Sequence, residues 1–426
     1  MERSDPRYQA YVEILKEELI PAMGCTEPIA LAYAAAKARE VLGVLPESVQ
    51  LQVSGSIIKN VKSVIVPNTG HLKGMEAAAA AGIIAGSAEK ELEVIAEVSA
   101  DKQAAIRDYL QTVPITIEHI EQGHVFDIIV TERCGDAWAK VRIADFHTNI
   151  CLIEKDGKVL YEKPLADEAA QESSRADRSL LNMKDIWEFA ETADLRDVAD
   201  LLERQIRYNN AIAEEGLLGD YGANIGRVLL STYGNDVSNR AKAKAAAGSD
   251  ARMNGCELPV IINSGSGNQG ITCSVPLIEY AKELHSGKEK LYRALIISNL
   301  VAIHEKTGIG TLSAYCGAVS AGAGAGAGIV YLCGDGYQAA IHTVVNALAI
   351  VSGIVCDGAK ASCAAKIASS VDAALLGYNM YKCNQEFKGG DGIVMKDIET
   401  TIKGIGRLGK DGMRQTNEEI IRLMMS

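Results

Sequence analysis

Aromatic residues are scarce in this 426-residue chain, at 5% of the sequence, whereas it has 40 glycines and a hydrophobic fraction of 48%. A composition so poor in rings and so rich in small residues favours closely packed helices over a β-sandwich core. An excess of positive charge is also absent, because the formal net charge is −12. The chain lacks the basic footprint that nucleic acids and anionic membranes require, so we expect neither as a partner.

No dense cysteine framework is present, since ten cysteines are scattered through a long chain. Such thiols indicate a reducing, cytoplasmic setting in which cysteines stay free or bind metal. The first residues show no apolar signal core and lead into an amphipathic helix. The weakly charged segments Gly317–Cys333 and Tyr337–Cys356 contain many small and polar residues, so we expect buried helices there rather than membrane spans.

The hydrophobic pattern divides the chain into three regions. Residues 1–45 predict two N-terminal helices, the second with its N-cap near Thr26. Residues 46–165 predict an α+β domain with a mostly antiparallel sheet. Residues 166–426 predict a large all-α domain, which begins with a linker at 166–174.

Alternating apolar residues mark the expected strands of the middle region. These runs lie at 49–54, 61–66, 125–131, 137–143 and 150–154. Helical patterns intervene at 74–86 and 102–111. In the third region, a Gly-Ser-Asp sequence at 248–250 predicts a break between helices.

Three cysteines lie among small residues in the third region. Cys316 opens a Gly/Ala-rich run, and Cys356 and Cys363 close the next apolar run. Iron–sulfur clusters bind thiolates, and small neighbours let backbone N–H groups reach the sulfides. Three thiolates leave one iron free to act on a substrate as a Lewis acid. The spacing alone leaves open the alternative that these are ordinary core cysteines.

Cys25 has a different context, just before a predicted helix. The helix macrodipole lowers the pKa of a thiol in that position, which makes Cys25 a candidate base or nucleophile. Cys273 precedes a similar proline-containing segment and is its rival. A small buried residue before a helix is the alternative for both.

Two polar loops offer groups that could hold a substrate. The loop at 263–270 lies between an apolar run and a helix, where a helix N-terminus would suit a carboxylate. Its candidate side chains are Ser264, Ser266, Asn268 and Gln269. The loop matches G-x-G-x-x-G, but the next apolar run lacks the acidic residue of a dinucleotide site. The second loop, at 66–74, has a solvated strand-to-helix turn as its alternative.

These motifs together resemble the L-cysteine desulfidase family, whose C-terminal domain is similar to the α chain of the oxygen-sensitive iron–sulfur L-serine dehydratases. The most specific segments are Gly24–Ala30, Ser264–Gly270 and the set of three cysteines. Gly353–Asp357 is similar to the Gly-Leu-Thr-Cys-Asp segment that binds the cluster in the dehydratases, and Cys363 follows closely, as in the desulfidases. Asn68–His71 resembles a rearranged form of the dehydratase Ser-Ser-His-Thr loop.

The resemblance implies a 4Fe-4S cluster held by Cys316, Cys356 and Cys363, with Cys25 as proton acceptor. The implied reaction is β-elimination of L-cysteine to hydrogen sulfide and an aminoacrylate, which water converts to pyruvate and ammonia. A small amino acid is the expected partner, and a homodimer is compatible with the sequence. Besides the four side chains of the 263–270 loop, the candidate substrate-binding residues are Thr26, Glu27, Asn68 and Thr69. Since Cys25 must reach the cluster, we expect residues 1–44 to pack on the C-terminal helical domain.

Three other functions remain open on the sequence. An iron–sulfur dehydratase could act on L-serine or another hydroxy amino acid by the same mechanism. A pyridoxal-phosphate lyase would need a Schiff-base lysine beside a phosphate loop. The available lysines are Lys59, Lys73, Lys306 and Lys360. A non-enzymatic sensor or scaffold is the third.

Overall fold

The computed structural model describes residues 1–121, 123–165, 175–310 and 313–425. Within these ranges an α+β region precedes a largely helical region, which confirms the predicted fold class in outline. The predicted linker at 166–174 lies outside the described residues.

The first region alternates helices with strands. Its helices are α1 (Pro6–Glu18), α2 (Thr26–Leu42), α3 (Gly55–Val61), α4 (Gly74–Ala85) and α5 (Ala100–Thr112). Its strands are β1 (Pro21–Met23), β2 (Ser48–Ser54), β3 (Ile115–Ile120), β4 (Asp127–Cys134), β5 (Ala137–Ala144), β6 (Ile150–Lys155) and β7 (Lys158–Glu162).

The second region is built from helices and one short strand, β8 (Pro259–Ile261). The helices are α6 (Met183–Thr192), α7 (Ala199–Leu218), α8 (Ile225–Tyr233), α9 (Val237–Met253), α10 (Gly267–Glu283), α11 (Lys288–Ile309), α12 (Gly317–Cys333), α13 (Tyr337–Val351), α14 (Cys363–Lys382), α15 (Ile398–Arg407) and α16 (Arg414–Met425). No helix in the described ranges is both long enough and apolar enough to cross a membrane.

Strands β2 to β7 form one sheet in the order β3-β2-β4-β5-β6-β7. The β2–β3 pair is parallel and the other neighbouring pairs are antiparallel, which confirms a mostly antiparallel sheet. Four of the five predicted runs coincide with β2, β4, β5 and β6. The run at 61–66 is not a strand, because Val61 ends α3 and the residues after it form turns.

Helix α2 belongs to the core of the α+β region. Its Leu31 and Ala35 are fully buried, in the same cluster as Leu51 of β2 and Val130 of β4. The alanine-rich surface of α2 has little bulk, so both the sheet and α4 can approach it closely.

Helix α1 instead packs against the helical region. Tyr8 and Tyr11 meet the ring of Phe189 edge-on, with ring centroids 5.1 and 5.3 Å apart. The prediction that residues 1–44 pack together on the helical domain is therefore wrong for α2. Its apolar face fits the sheet, so the two N-terminal helices belong to different cores.

Small residues in the helical region mark close contacts between helices. The predicted break at 248–250 does not form, since α9 continues to Met253. A Cβ atom added to Gly216 of α7 would lie 1.9 Å from the carbonyl oxygen of Ala247 in α9. Glycine at 216 therefore lets the two helices touch, and the small residues of α9 serve helix packing rather than helix termination.

Candidate active site

Strand pairing brings Cys25 to the helical region. Strand β1 pairs antiparallel with β8, and Met23 lies opposite Pro259. The chain after Met23 therefore continues toward the residues that precede Pro259. Gly24 then turns with a φ of +56°, and Cys25 arrives at the C-terminal end of α9.

Cys25 is the buried N-cap residue of α2. It packs with Val64 and Met253, and Cys363 lies against the same cluster. Burial raises the pKa of the Cys25 thiol to about 12, although the charge of the nearby Arg252 guanidinium opposes the rise. The predicted lowering of this pKa is wrong, because lost hydration outweighs the helix dipole.

A short antiparallel bridge between Tyr315 and Val355 brings the segments of Cys316 and Cys356 together. The Cys316 N–H donates to the Ile354 carbonyl at 3.2 Å, and the Cys356 N–H donates to the Ala314 carbonyl at 2.6 Å. Burial, and then the neighbouring Cys356 thiol, raise the pKa of Cys316 to about 12. The two thiols are thus within electrostatic range of each other.

Cys363 completes the group of thiols as the first residue of α14. Its sulfur donates to the Gly358 carbonyl at 3.4 Å. Burial raises the pKa of Cys363, and the Cys356 thiol adds to the rise. The structure therefore brings together Cys25 and the three cysteines singled out from the sequence.

Gln269 connects helix α10 to this group. A Cβ atom on Gly317, the first residue of α12, would lie 2.5 Å from the Gln269 amide carbon. Gln269 is buried, and its Oε1 has no hydrogen-bond partner among the described residues. One residue earlier, Asn268 Oδ1 accepts a hydrogen bond from Arg252 at 3.3 Å. The start of α10 thus contacts both the Cys316 side and the Cys25 side of the site.

Four helices begin around this site: α2, α10, α12 and α14. Their N-cap residues are Cys25, Ser266, Cys316 and Ser362, and none of these makes a side-chain capping hydrogen bond within the described chain. The N–H groups of a first helical turn have no partner inside the helix and carry partial positive charge. The site is therefore arranged to hold anionic groups.

Two buried lysines add positive charge. Lys59, 1% exposed, and Lys306 both interact electrostatically with Cys316 and Cys356. Their ammonium groups donate to neutral acceptors, the Asn417 side chain at 2.7 Å for Lys59 and a main-chain carbonyl for Lys306. Burial lowers the pKa of Lys306 to about 8, with the thiols opposing the change. Neither ammonium group forms an ion pair within the part of the chain that the structure describes, which indicates that further negative charge belongs nearby.

The loop between Cys356 and Cys363 has its own charge network. Asp357 forms ion pairs with Lys360 and Lys366. Lys366 also donates to the Val355 carbonyl at 2.9 Å. These contacts fix the loop while keeping two more cations beside the thiols.

The donor set fits a cluster of several irons. Thiolates are the usual ligands of such clusters, and the cations and helix N-termini would offset the charge of three thiolates. Within residues 1–121, 123–165, 175–310 and 313–425, no three His, Cys, Asp or Glu side chains form a group that could hold a metal ion. A 4Fe-4S cluster has separate irons at separate corners, so its thiolates stand further apart than the ligands of one ion.

Comparison with known proteins places the chain. The family model described as serine dehydratase alpha chain matches residues 89–422. This chain belongs to the serine dehydratase alpha chain family. The match includes Cys316, Cys356 and Cys363, whereas Cys25 lies before it.

Close relatives of this family member share its full length. A UPF0597 protein of Desulfitobacterium hafniense is 62% identical over 100% of this chain and 99% of its own length. A UPF0597 protein of Lachnoclostridium phytofermentans is 52% identical over 98% of this chain and 100% of its own. One from Treponema denticola is 47% identical, over 98% of each chain. Similarity to these relatives therefore includes the Cys25 segment.

In this serine dehydratase alpha chain homologue, Glu27 lies close to Cys25. Its carboxylate contributes to the raised pKa of Cys25, after burial and against Arg252. It accepts hydrogen bonds from Asn60 and Thr26, each at 3.3 Å. Glu27 is therefore a negative group near the candidate base. Thr26 is the first helical residue rather than the N-cap.

The loop at 66–74 lies beside the site, but its side chains serve the turn. Asn68, with a φ of +60°, donates to the Ile95 carbonyl at 2.9 Å. Thr69 is buried and donates to the Val66 carbonyl at 2.8 Å. The structure thus gives Asn68 and Thr69 hydrogen bonds that stabilise their own surroundings.

The first residues of the 263–270 loop also have structural partners. Asn263 is buried and donates to Asn299 Oδ1 at 3.0 Å. Ser264 adopts a φ of +49° and donates to Asn263 Oδ1 at 2.9 Å. Ser266 is the N-cap residue of α10. Asn268 and Gln269 are the members of this loop that contact the other groups of the site.

Cys273 does not compete with Cys25 for the role of base. It lies inside α10, which continues through Pro276, and not ahead of a helix. It packs in a separate cluster with Ala302 and Ala321. The sequence echo between the two cysteine segments therefore has no counterpart in the structure.

Arg252 is the main site residue that the sequence analysis missed. Its only signal is a charged residue near the end of an alanine-rich helix, which ordinarily indicates an exposed side chain. The sequence around Lys59, Lys306 and Lys360 gives none of them a clear functional context. The structure places all three near the thiols, whereas Lys73 is the N-cap residue of α4.

Proposed function

We propose that this chain is an iron–sulfur lyase that eliminates hydrogen sulfide from L-cysteine. The observation that carries the proposal is that Cys363, one of three neighbouring thiols, packs against the buried cluster that contains Cys25. Family membership supports an iron–sulfur dehydratase or lyase, and the choice of cysteine as substrate is the proposal.

Cys316, Cys356 and Cys363 would hold a 4Fe-4S cluster. Such a cluster supplies an iron with an open position, a soft Lewis acid that suits a sulfur leaving group. Lys59, Lys306, Lys360 and Lys366 would offset the charge of the thiolates.

Cys25 would accept the α-proton of the substrate at its sulfur in the thiolate form, which the charge of the nearby Arg252 guanidinium favours against the effect of burial. As the C–S bond breaks, the electron pair of the C–H bond forms the C=C bond of aminoacrylate, and the sulfur leaves as sulfide. Water then converts aminoacrylate to pyruvate and ammonia. Asn268, Gln269 and Glu27 would orient the substrate, because they lie within the same group as Cys25.

Metal analysis and product assays test the proposal together. Protein purified without oxygen is expected to contain about four iron and four acid-labile sulfide per chain. It should release sulfide, pyruvate and ammonia from L-cysteine in equal amounts. Cys356→Ala should lose the iron and the activity, whereas Cys383→Ala, which removes an exposed thiol, should retain both. Wild-type protein without iron would refute the cluster, and iron-loaded protein inert toward L-cysteine would refute the substrate.

L-Serine is the second candidate substrate, because the matched family model is that of the serine dehydratase alpha chain. The same base and cluster could eliminate water instead of hydrogen sulfide. Comparing kcat/KM for the two amino acids on one anaerobic preparation decides between them. A higher value for L-serine would make the dehydratase the function.

The Gly358 loop gives a structural test of the cluster site. Gly358 has a φ of +95°, and a Cβ atom there would lie 1.8 Å from the Lys59 carbonyl oxygen. Gly358→Ala should therefore displace the loop between Cys356 and Cys363, lower stability by roughly 1–3 kcal/mol and lose most of the bound iron.

Gly353→Ala is the matched control for that change. No atom of the described residues lies within 4 Å of a Cβ atom at Gly353, and its φ is outside the positive range. Its iron content and thermal midpoint should equal those of the wild type. Equal iron in both variants would show that the Cys356–Cys363 loop does not hold the metal.

A further inference from the structure

Arg252 is a buried cation that forms no ion pair with any residue that the structure describes. The residue is 6% exposed, and its Nε has no hydrogen-bond partner among the described residues. Its Nη1 contacts neutral groups, Asn268 Oδ1 at 3.3 Å and the Met253 sulfur at 4.0 Å. Burying a guanidinium is costly unless a negative group pairs with it.

The place of Arg252 fits a ligand rather than a missing protein contact. The guanidinium lies between the Cys25 thiol and the first turn of α10. A Cβ atom on Gly267 would lie 2.2 Å from Nε, so glycine there leaves room for the side chain. The N-cap Ser266 makes no side-chain capping bond within the described residues. The first turn of α10, where Gly267 lies beside the guanidinium, is therefore a second source of positive charge.

Glu27 provides the opposite charge close to Cys25. Both Arg252 and Glu27 act on the Cys25 thiol through their charge. An α-amino acid carries a carboxylate and an ammonium on the carbon that bears the α-proton. A cation and an anion that both lie near the base would match that arrangement.

We infer that Arg252 binds the α-carboxylate of the substrate, with Glu27 near its ammonium group. This inference rests on the proposed function, in that the ligand is an α-amino acid. The guanidinium fork can donate two parallel hydrogen bonds to one carboxylate, which an ammonium group cannot do. Arg252 is thus a substrate-binding residue that selects amino acids by their carboxylate and places the α-carbon beside Cys25.

Two thiol ligands, each lacking one polar group of L-cysteine, separate the contribution of the carboxylate to binding from that of the amine. 3-Mercaptopropionate has the carboxylate without the amine, and cysteamine has the amine without the carboxylate. Isothermal titration calorimetry on the anaerobic holoprotein measures both, and neither measurement needs turnover. Arg252→Gln is expected to lower the affinity for 3-mercaptopropionate by roughly 10- to 100-fold. The affinity for cysteamine should change by less than about twofold.

Control variants separate charge from folding. Arg240→Gln removes a guanidinium from the same helix that is already paired with Glu283, so both affinities should stay at the wild-type values. Arg252→Lys keeps the charge without the fork and should weaken 3-mercaptopropionate by a smaller factor than Arg252→Gln. This variant also serves if Arg252→Gln does not fold.

Three results for Arg252→Gln would overturn the assignment. They are an equal loss of affinity for both thiols, no change in either affinity, and a loss of affinity for cysteamine alone. Failure of the proposed function would look different. Protein that releases no sulfide from L-cysteine, yet loses 3-mercaptopropionate selectively in Arg252→Gln, would refute the lyase and keep the carboxylate site. Active protein with unchanged 3-mercaptopropionate affinity in Arg252→Gln would refute only the role of Arg252.

Discussion

Replacing Cys25 by alanine is expected to lower kcat for L-cysteine by a factor of roughly 10² to 10⁴ while leaving the iron content at the wild-type value. The factor is the usual contribution of a positioned general base to proton removal. Iron should stay because the proposed ligands, Cys316, Cys356 and Cys363, lie on other segments of the chain. Turnover assays and metal analysis on the same preparation measure both effects.

Cys273→Ala is the matched control for Cys25→Ala, because it also removes a fully buried thiol. Its neighbours Ala302 and Ala321 lie in the helical core, so kcat should remain within a factor of about two to three and iron should be retained. A Cys25→Ala variant with a third or more of wild-type kcat would show that another group takes the α-proton. Loss of iron from that variant would assign Cys25 to the metal instead.

Replacing Glu132 by glutamine is expected to stabilise the protein at pH 8 and to have little effect at pH 4.5. Glu132 of β4 is 0% exposed, and neither carboxylate oxygen has a partner among the described residues. Burial raises its pKa from 4.5 to about 9, with exposed Arg39 opposing the rise. The carboxyl group is therefore protonated in the folded protein and ionised in the unfolded chain at neutral pH.

The sign follows from proton linkage. A raised pKa in the folded state means that stability from this group is complete below pH 4.5 and declines as pH rises toward about 9. Glutamine has nearly the same shape and does not ionise. The free energy of unfolding of Glu132→Gln should therefore exceed that of the wild type by on the order of 2–4 kcal/mol at pH 8. Urea unfolding at both pH values measures the gain.

Glu118→Gln is the control for this experiment, since Glu118 lies exposed on β3 of the same sheet and contacts Gln50 and Gln52. It should shift stability by less than about 0.5 kcal/mol at either pH. If Glu132→Gln gave the same shift at both pH values, Glu132 would have to be ionised in the folded protein.

Hydrophobic periodicity predicted the strands and helices that bury one face against a single core. These elements include the strands β2, β4, β5 and β6, which show apolar alternation, and helix α2, which shows the helical repeat. In each of them the repeat follows from packing against one core. The break predicted at 248–250 failed because small residues also serve close helix packing. That alternative depends on Gly216 of a different helix, which no local pattern reveals.

The candidate site was predictable where a short motif marked it. Cys25 and the three later cysteines could be found because each has a distinctive local context. Arg252 could not be found, because its burial depends on the β1–β8 pairing and on the start of α10. Local context also misjudged the Cys25 pKa, since hydration is decided by tertiary packing.

The division of the two N-terminal helices between two cores has a mechanical consequence. Cys25 lies at the joint, after a strand fixed to the helical region and before a helix embedded in the α+β core. A small rotation of one core against the other would act through α2 as a lever and alter the separation of the Cys25 and Cys363 sulfurs. Substitutions deep in either core, far from the site, could therefore change catalysis without touching a residue that contacts the substrate.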